Sequence, residues 1–327
     1  MNRLRVVLTA LLLSPAVLAA QAAPSTASLI SLDGKLNVDG GKHLKGAKKL
    51  FVPLVILRMA TKGSLFVVNQ GRFFETDGKT AKAKGKFVVA GLDKAYLQSL
   101  AKQVQDDFVA RLRAEGYTVI TYDDVKGSAE VVGMKRYKAD DEYGMPTGGG
   151  APGSKNTYLV AFPSDEQAID PPFQGYPWGF RKLLKELDAT MMVPEFIVDA
   201  PLLTGAKKNG VASRGASVNV FPDMMMYGYT PITTAGGAWG SVRMKDAFSD
   251  LGDDVGEIGE AKDDSPKFAN ALSAGLAILS PLGTDMQAKS GTWGLKVNRE
   301  KYTASVLRGA MSFNAGVTAT IVAESKK

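Results

Sequence analysis

The sequence predicts an α/β fold, a mixed sheet with flanking helices, that continues into a β-rich C-terminal half carrying a long hairpin. Three observations carry that expectation: an amphipathic helix set between short apolar strands, two long extended stretches joined by a turn-prone link, and 45% hydrophobic content with no cysteine in 327 residues. Without disulfides the core alone must hold the chain, and a chain of this length buries enough apolar surface to do so. Disordered, collagenous and disulfide-stapled classes are excluded by the same composition.

The N-terminus reads as an address. Met1–Arg5 is basic, Val6–Ala20 is almost wholly apolar, and Ala20 and Ala22 are small residues at the −3 and −1 positions before Ala23. Residues 1–22 therefore look like a secretory signal peptide. The apolar run, interrupted by Pro15, is shorter than the roughly 20 residues a bilayer-spanning helix needs. The expected location is the periplasm or the outer-membrane periphery after cleavage. The expected division is an α/β core over 28–230 and a β-rich C-terminal region, 231–327, packed on the same core.

Ser28–Val38 alternates in part and predicts a first strand or hairpin arm, and Lys49–Arg58 is apolar enough for a strand buried on both faces, with Pro53 as its weak point. Phe87–Gly91 is a third short strand. Leu97, Leu100, Ala101, Val104, Phe108 and Leu112 recur at three and four residues and define a helix that Gly116 stops. Tyr117–Tyr122 is a β-branched and aromatic strand, Asp123–Val125 opens a short helix, and Ala139–Gly153 is a flexible insertion rich in Gly, Pro and acid. Thr157–Phe162 is a strand and Trp178–Leu187 a helix. Ala189–Leu203 and Gly215–Tyr229 form the long antiparallel hairpin across a turn at Thr204–Gly210. A strand over Gly240–Phe248, a helix over Ser265–Leu279 and two strands near Thr292–Val297 and Val306–Val322 complete the expectation.

The chemistry on offer is sparse. His43, the single histidine, sits in a polar turn, no serine occupies a Gly-x-Ser-x-Gly elbow, and a catalytic zinc site usually takes more than one histidine. The glycines of 148–153 lack the strand before and the Lys-Ser/Thr after that a phosphate loop requires. Asp250–Val255 does not follow the alternate-position ligand pattern of a calcium loop. Ser99-x-x-Lys102, Ser217-Val218-Asn219 and Lys289-Ser290-Gly291 stand in the order that penicillin-binding proteins use, but Ser99 lies inside the helical pattern and Ser217 in an alternating strand. Adjacent acids such as Asp106-Asp107, Asp123-Asp124 and Asp253-Asp254 point apart and read as solvated surface.

Two sets of residues stand out as binding candidates. Met224, Met225 and Met226 with Tyr227 and Tyr229 could line an adaptable apolar pocket, with core packing as the plainer reading. Lys79, Lys82, Lys84 and Lys86 could contact an anionic surface, with a solvated hairpin or loop as the plainer reading. The formal charge is +7 over the whole chain.

The order of a buried strand (Leu50–Leu57), an amphipathic helix (Leu97–Glu115) leading through Gly116 into Val119-Ile120, the stretch Leu187-Asp188-Ala189-Thr190-Met191-Met192-Val193-Pro194-Glu195 and the alternating Ser217–Phe221 resembles the periplasmic α/β domain of curli-secretion-channel (CsgG-type) proteins and the related N-terminal domain of TolB. The resemblance spans about Leu50–Tyr229 and implies an envelope protein working by oligomerisation or partner binding near the outer membrane. Those channels are anchored through an N-terminal cysteine, which this chain lacks. Asp199, Lys207 and Asp223 suit water-exposed or loop positions better than the lipid-facing wall of a barrel.

The expected function is thus non-enzymatic binding or assembly at the cell envelope. A periplasmic small-molecule carrier with a Met/Tyr-lined pocket is the alternative, and a serine acyl-enzyme the third reading. Expected partners are an envelope protein or a second copy, an apolar small molecule or a peripheral membrane surface, with no nucleic acid, cofactor or metal.

Overall fold

The computed structural model describes residues 28–69, 81–136, 142–145, 155–169, 179–209, 214–249, 251, 254–262, 280–281, 287–288 and 290–327. Its first half runs β1 (Leu36–Asp39), β2 (Lys49–Val52), β3 (Ile56–Asn69), β4 (Ala81–Ala90), α1 (Lys94–Ala114), β5 (Thr118–Thr121), α2 (Tyr122–Val125), α3 (Ala129–Val132), β6 (Glu142–Met145) and β7 (Lys155–Ala161). There follow α4 (Arg181–Leu187), β8 (Thr190–Met192), β9 (Glu195–Asp199), β10 (Leu202–Asn209), β11 (Arg214–Phe221), β12 (Met225–Thr233) and β13 (Trp239–Met244). The chain ends with β14 (Gly256–Glu260), β15 (Ser280–Pro281), β16 (Gln287–Ala288), β17 (Ser290–Val297) and α5 (Arg299–Ser325). The fold is α/β, and the described residues form a 14-stranded mixed sheet and a 3-stranded second sheet of β10, β11 and β16.

The large sheet forks at β3. Strand β7 pairs with β3 from Leu57 to Ser64. Strand β9 pairs with Ile56–Met59 and β4 with Lys62–Asn69, so both occupy the edge that β7 leaves free. Because β4 takes over that edge, β9 and its partner β12 part from it at Asp199 and Met225. The same two segments run on as the β10–β11 hairpin of the second sheet, registered Leu202 to Phe221 and Asn209 to Arg214. The long hairpin is therefore present, but bent from one sheet into the other. Its expected turn at Thr204–Gly210 is strand as far as Asn209. Gly205 serves there as a contact point, since a Cβ on it would stand 2.6 Å from Val67. Gly85 on β4 is equally close, 2.5 Å from Val218. Leu65, Val67, Ala83, Val218, Val220 and Trp293 fill the space between the sheets.

Helix α1 forms where the periodicity places it, burying Leu97, Leu100, Val104, Phe108 and Leu112, and Asp93 caps it by accepting from the Tyr96 backbone N–H. Gly116 adopts the left-handed conformation, φ +86°, that turns the chain toward β5. Phe51, Ile56, Phe162, Phe180, Leu183 and Met191 form a separate core with residues of α2 and α3.

Three expectations are corrected. Val306–Val322 belongs to α5, a helix of 27 residues, and not to a strand. Its buried Tyr302, Val306, Ala310, Phe313, Val317 and Ile321 follow helical spacing, but Ser305, Ser312, Asn314 and Thr318 are buried too, which blurs the apolar stripe. The single strand over Lys49–Arg58 is two, β2 and β3, interrupted at Pro53, which cannot donate to a ladder. Within the expected flexible insertion, Glu142–Met145 is a strand paired with β7. Residues 1–22, the glycines of 148–153, the helix Ser265–Leu279 and Lys79 lie outside the described residues.

Candidate functional site

Strand alternation divides the methionine and tyrosine set. Met226 and Gly228 face α5, where a Cβ on Gly309 would meet Met226 and one on Gly228 would meet Phe313. Met224 and Met226 are fully buried in the core. Met225, Tyr227 and Tyr229 point to the opposite side of the sheet and are half-buried. Met225 and Tyr227 line a cleft of about 430 Å³ with Asn37, Ile197, Asp199, Arg243, Met244, Lys245 and Ala247. The set expected to act as one pocket is thus split between core and cleft, and the cleft wall is part polar.

Asp199 decides the character of this cleft. It is only 7% exposed and ends a strand, whereas the sequence suggested a water-exposed or loop position. Its Oδ1 accepts two hydrogen bonds at 2.8 Å, from Tyr158 Oη and Asn156 Nδ2. Among the described residues Oδ2 has no hydrogen-bond partner, and Asp199 lines the cleft. Burial pushes its carboxyl above the ordinary range, against the two donors. The carboxylate ends β9, where the hairpin begins to leave the large sheet.

On the same face, Arg58 Nη1 donates to Glu195 Oε2 at 2.7 Å in a nearly buried ion pair. Burial raises the Glu195 carboxyl, with Arg58 opposing the shift. Tyr229, paired across the strands with Glu195, is raised first by its own burial and then by the Glu195 charge. Position and pairing make this a structural ion pair beside the cleft.

Of the hairpin or loop expected for the lysines, Lys82, Lys84 and Lys86 take a paired strand, β4, hydrogen-bonded antiparallel to β3 on one side and parallel to β17 on the other. Ala83 and Gly85 face the second sheet, so the three lysines face away from it. Registered beside them are Ser64, Phe66 and Val68 of β3, and Ser290 and Thr292 of β17. Lys62 and Lys155 complete the face through the pairing of β3 with β7. Lys82, Lys84 and Lys155 are exposed, and among them Phe66 leaves 46% of its surface in solvent. These described strand positions hold five lysines and no carboxylate.

The remaining candidates take ordinary structural places. Ser99 is exposed on α1 within reach of Gln103, and Lys102 is paired with Asp106 at 2.7 Å, while Ser217 and Asn219 stand on β11 and Lys289 lies outside the described residues. His43 is in a single 3-10 turn, Gly41–Leu44. Asp107 pairs with Arg111, Asp123 with Lys126, and Asp124 closes a capping box with Thr121. Among the described residues no group of three His, Cys, Asp or Glu side chains is arranged to hold a metal ion.

No protein-family model matches the chain, and no curated protein matches it. Its reading therefore rests on its own residues. Sequence reasoning placed Asp199 at a water-exposed or loop position without a binding role, and did not single out Asn156, Tyr158, the Arg58–Glu195 pair or Arg243. The available signal was a charged residue inside or bounding an apolar strand, as in Glu195-Phe196-Ile197-Val198-Asp199, because a buried charge requires a partner.

Proposed function

We propose that the protein is an exported, non-enzymatic component of the cell envelope that docks on an anionic membrane surface through the lysine-bearing face of β3 and β4. The observation that carries this reading is the register that sets Lys82, Lys84 and Lys86 on one face around the exposed Phe66. Lysines near a membrane gain from the negative surface potential of anionic lipids, and an exposed aromatic ring gains by entering the headgroup boundary. Interior strand pairing fixes the backbone positions from which the lysine side chains project to one side. The signal-like residues 1–22 support an envelope location.

The test is co-sedimentation of the purified protein with vesicles of pure phosphatidylcholine and with vesicles containing phosphatidylglycerol. Binding confined to the anionic vesicles is expected. At about 1 kcal/mol for each lysine near the surface, the double variant Lys82→Glu, Lys84→Glu should bind at least ~30-fold more weakly. Equal binding by the variant, or none by the parent protein, refutes the reading.

A further inference from the structure

The cleft at the fork of the sheet is separate from the lysine face and has a charge arrangement of its own. At its inner end stands Asp199, 7% exposed, with Oδ1 fixed by Tyr158 and Asn156 and Oδ2 without a described partner. At its outer end Arg243 and Lys245 are exposed cations. Between them lie Ile197, Met225 and Tyr227. A group that satisfies Asp199 Oδ2 must donate a hydrogen bond, and a cation does so most strongly. A group that satisfies Arg243 and Lys245 must accept hydrogen bonds, and an anion does so most strongly. An apolar body is needed to cover what lies between.

The strand register gives the scale. Met225 is paired with Asp199, and Tyr229 with Arg243, so strand β12 separates the anion on β9 from the cation on β13. Two strand spacings across and four residues along β12 put about 16 Å between the backbones of Asp199 and Arg243, and the long side chains of Arg243 and Lys245 shorten that gap. Two extended residues span about 7 Å.

We propose that this cleft is a binding site for a short zwitterionic peptide with apolar side chains. Its α-ammonium donates to Asp199 Oδ2, its carboxylate meets Arg243 and Lys245, and its side chains lie on Ile197, Met225 and Tyr227. Asn156 and Tyr158 are positioning residues: they hold the carboxylate in the orientation that leaves Oδ2 for the ligand. Lone cations are disfavoured by the outer pair, and lone anions by Asp199.

The experiment is isothermal titration of the purified protein with the dipeptide leucyl-leucine, its N-acetyl derivative and its C-terminal amide. Saturable binding of leucyl-leucine is expected, weakened at least tenfold by either modification. Asp199→Asn keeps an acceptor for Tyr158 and Asn156 but removes the anion, and should also lose at least tenfold. Arg243→Ala with Lys245→Ala should weaken leucyl-leucine but leave the amide unchanged. Should Asp199→Asn fail to fold, comparing the three peptides on the parent protein still decides the matter. Equal affinity for the N-acetyl derivative, or no saturation by leucyl-leucine up to 10 mM, overturns the proposal.

Discussion

Gly228 lies beneath the ring of Phe313, so close that a Cβ on the glycine would stand 2.8 Å from the ring's Cγ. Phe313 also meets Phe196 edge-to-face, with ring centroids 5.5 Å apart. Strands β9 and β12 thus take their distance from α5 from one aromatic side chain, and their other face carries the cleft.

Substitution of Gly228 by alanine should therefore overpack this contact and cost about 1–3 kcal/mol, with valine costing more. Chemical denaturation of the two variants checks this. A lowered midpoint with an unchanged slope is expected, because the loss lies in the folded state.

Replacing Arg58 by methionine should destabilise the protein by about 3–5 kcal/mol, because it leaves Glu195 buried without its counter-charge. The sign with pH follows from Glu195. Its carboxyl is already raised by burial, so its ionisation opposes folding, and stability falls as pH rises from the ordinary carboxylate value through the raised one. Loss of Arg58 raises it further. The penalty should be largest at neutral pH and shrink on acidification, measured by denaturation across pH 4 to 8. A penalty independent of pH would assign Arg58 a packing role only.

Asp93 has the opposite sign. The backbone N–H of Tyr96, with Arg299, holds its carboxyl below the ordinary range despite some burial. It contributes stability above the ordinary carboxylate pKa, and that contribution is lost as pH falls through the lowered value. Asp93→Ala should cost about 0.5–2 kcal/mol at neutral pH. Asp93→Asn should retain most of the cap and lose the acid-side dependence, read from thermal melts below pH 5.

For the lysine face, vesicle binding should weaken steeply between 50 and 500 mM NaCl, since the screening length falls to about 10 Å at 0.1 M and about 3 Å at 1 M. Phe66→Ser should reduce binding by a similar factor at every salt concentration, because its contribution is apolar. A salt-independent interaction would remove the electrostatic basis of the reading.

Helix α1 was legible because its period is long and clean and its stop is a glycine. Helix α5 was not, although Asn298 caps it by accepting from the Lys301 N–H and Glu300 lies in its first turn. Burial of polar Ser305, Asn314 and Thr318 erased the contrast between its faces. Asn314 can be buried because its Nδ2 donates to the Val104 carbonyl and to Asp107 Oδ2, both at 3.0 Å. Those partners lie more than 200 residues away, beyond any local pattern.

The sequence by itself determined the α/β class, helix α1, most strand positions and the pairing of the two arms of the long hairpin, since each follows from periodicity and turn chemistry within a few residues. Tertiary structure alone decided which side of each strand meets a core. It put Met224 and Met226 inside and Met225 and Tyr227 in the cleft, and it set the lysines of β4 on an interior strand. It also decided that Asp199 is buried, because β4 displaces β9 from the edge of β3 and bends the hairpin there. That competition for one strand edge joins residues far apart in the chain, and a single segment read by itself contains no trace of it.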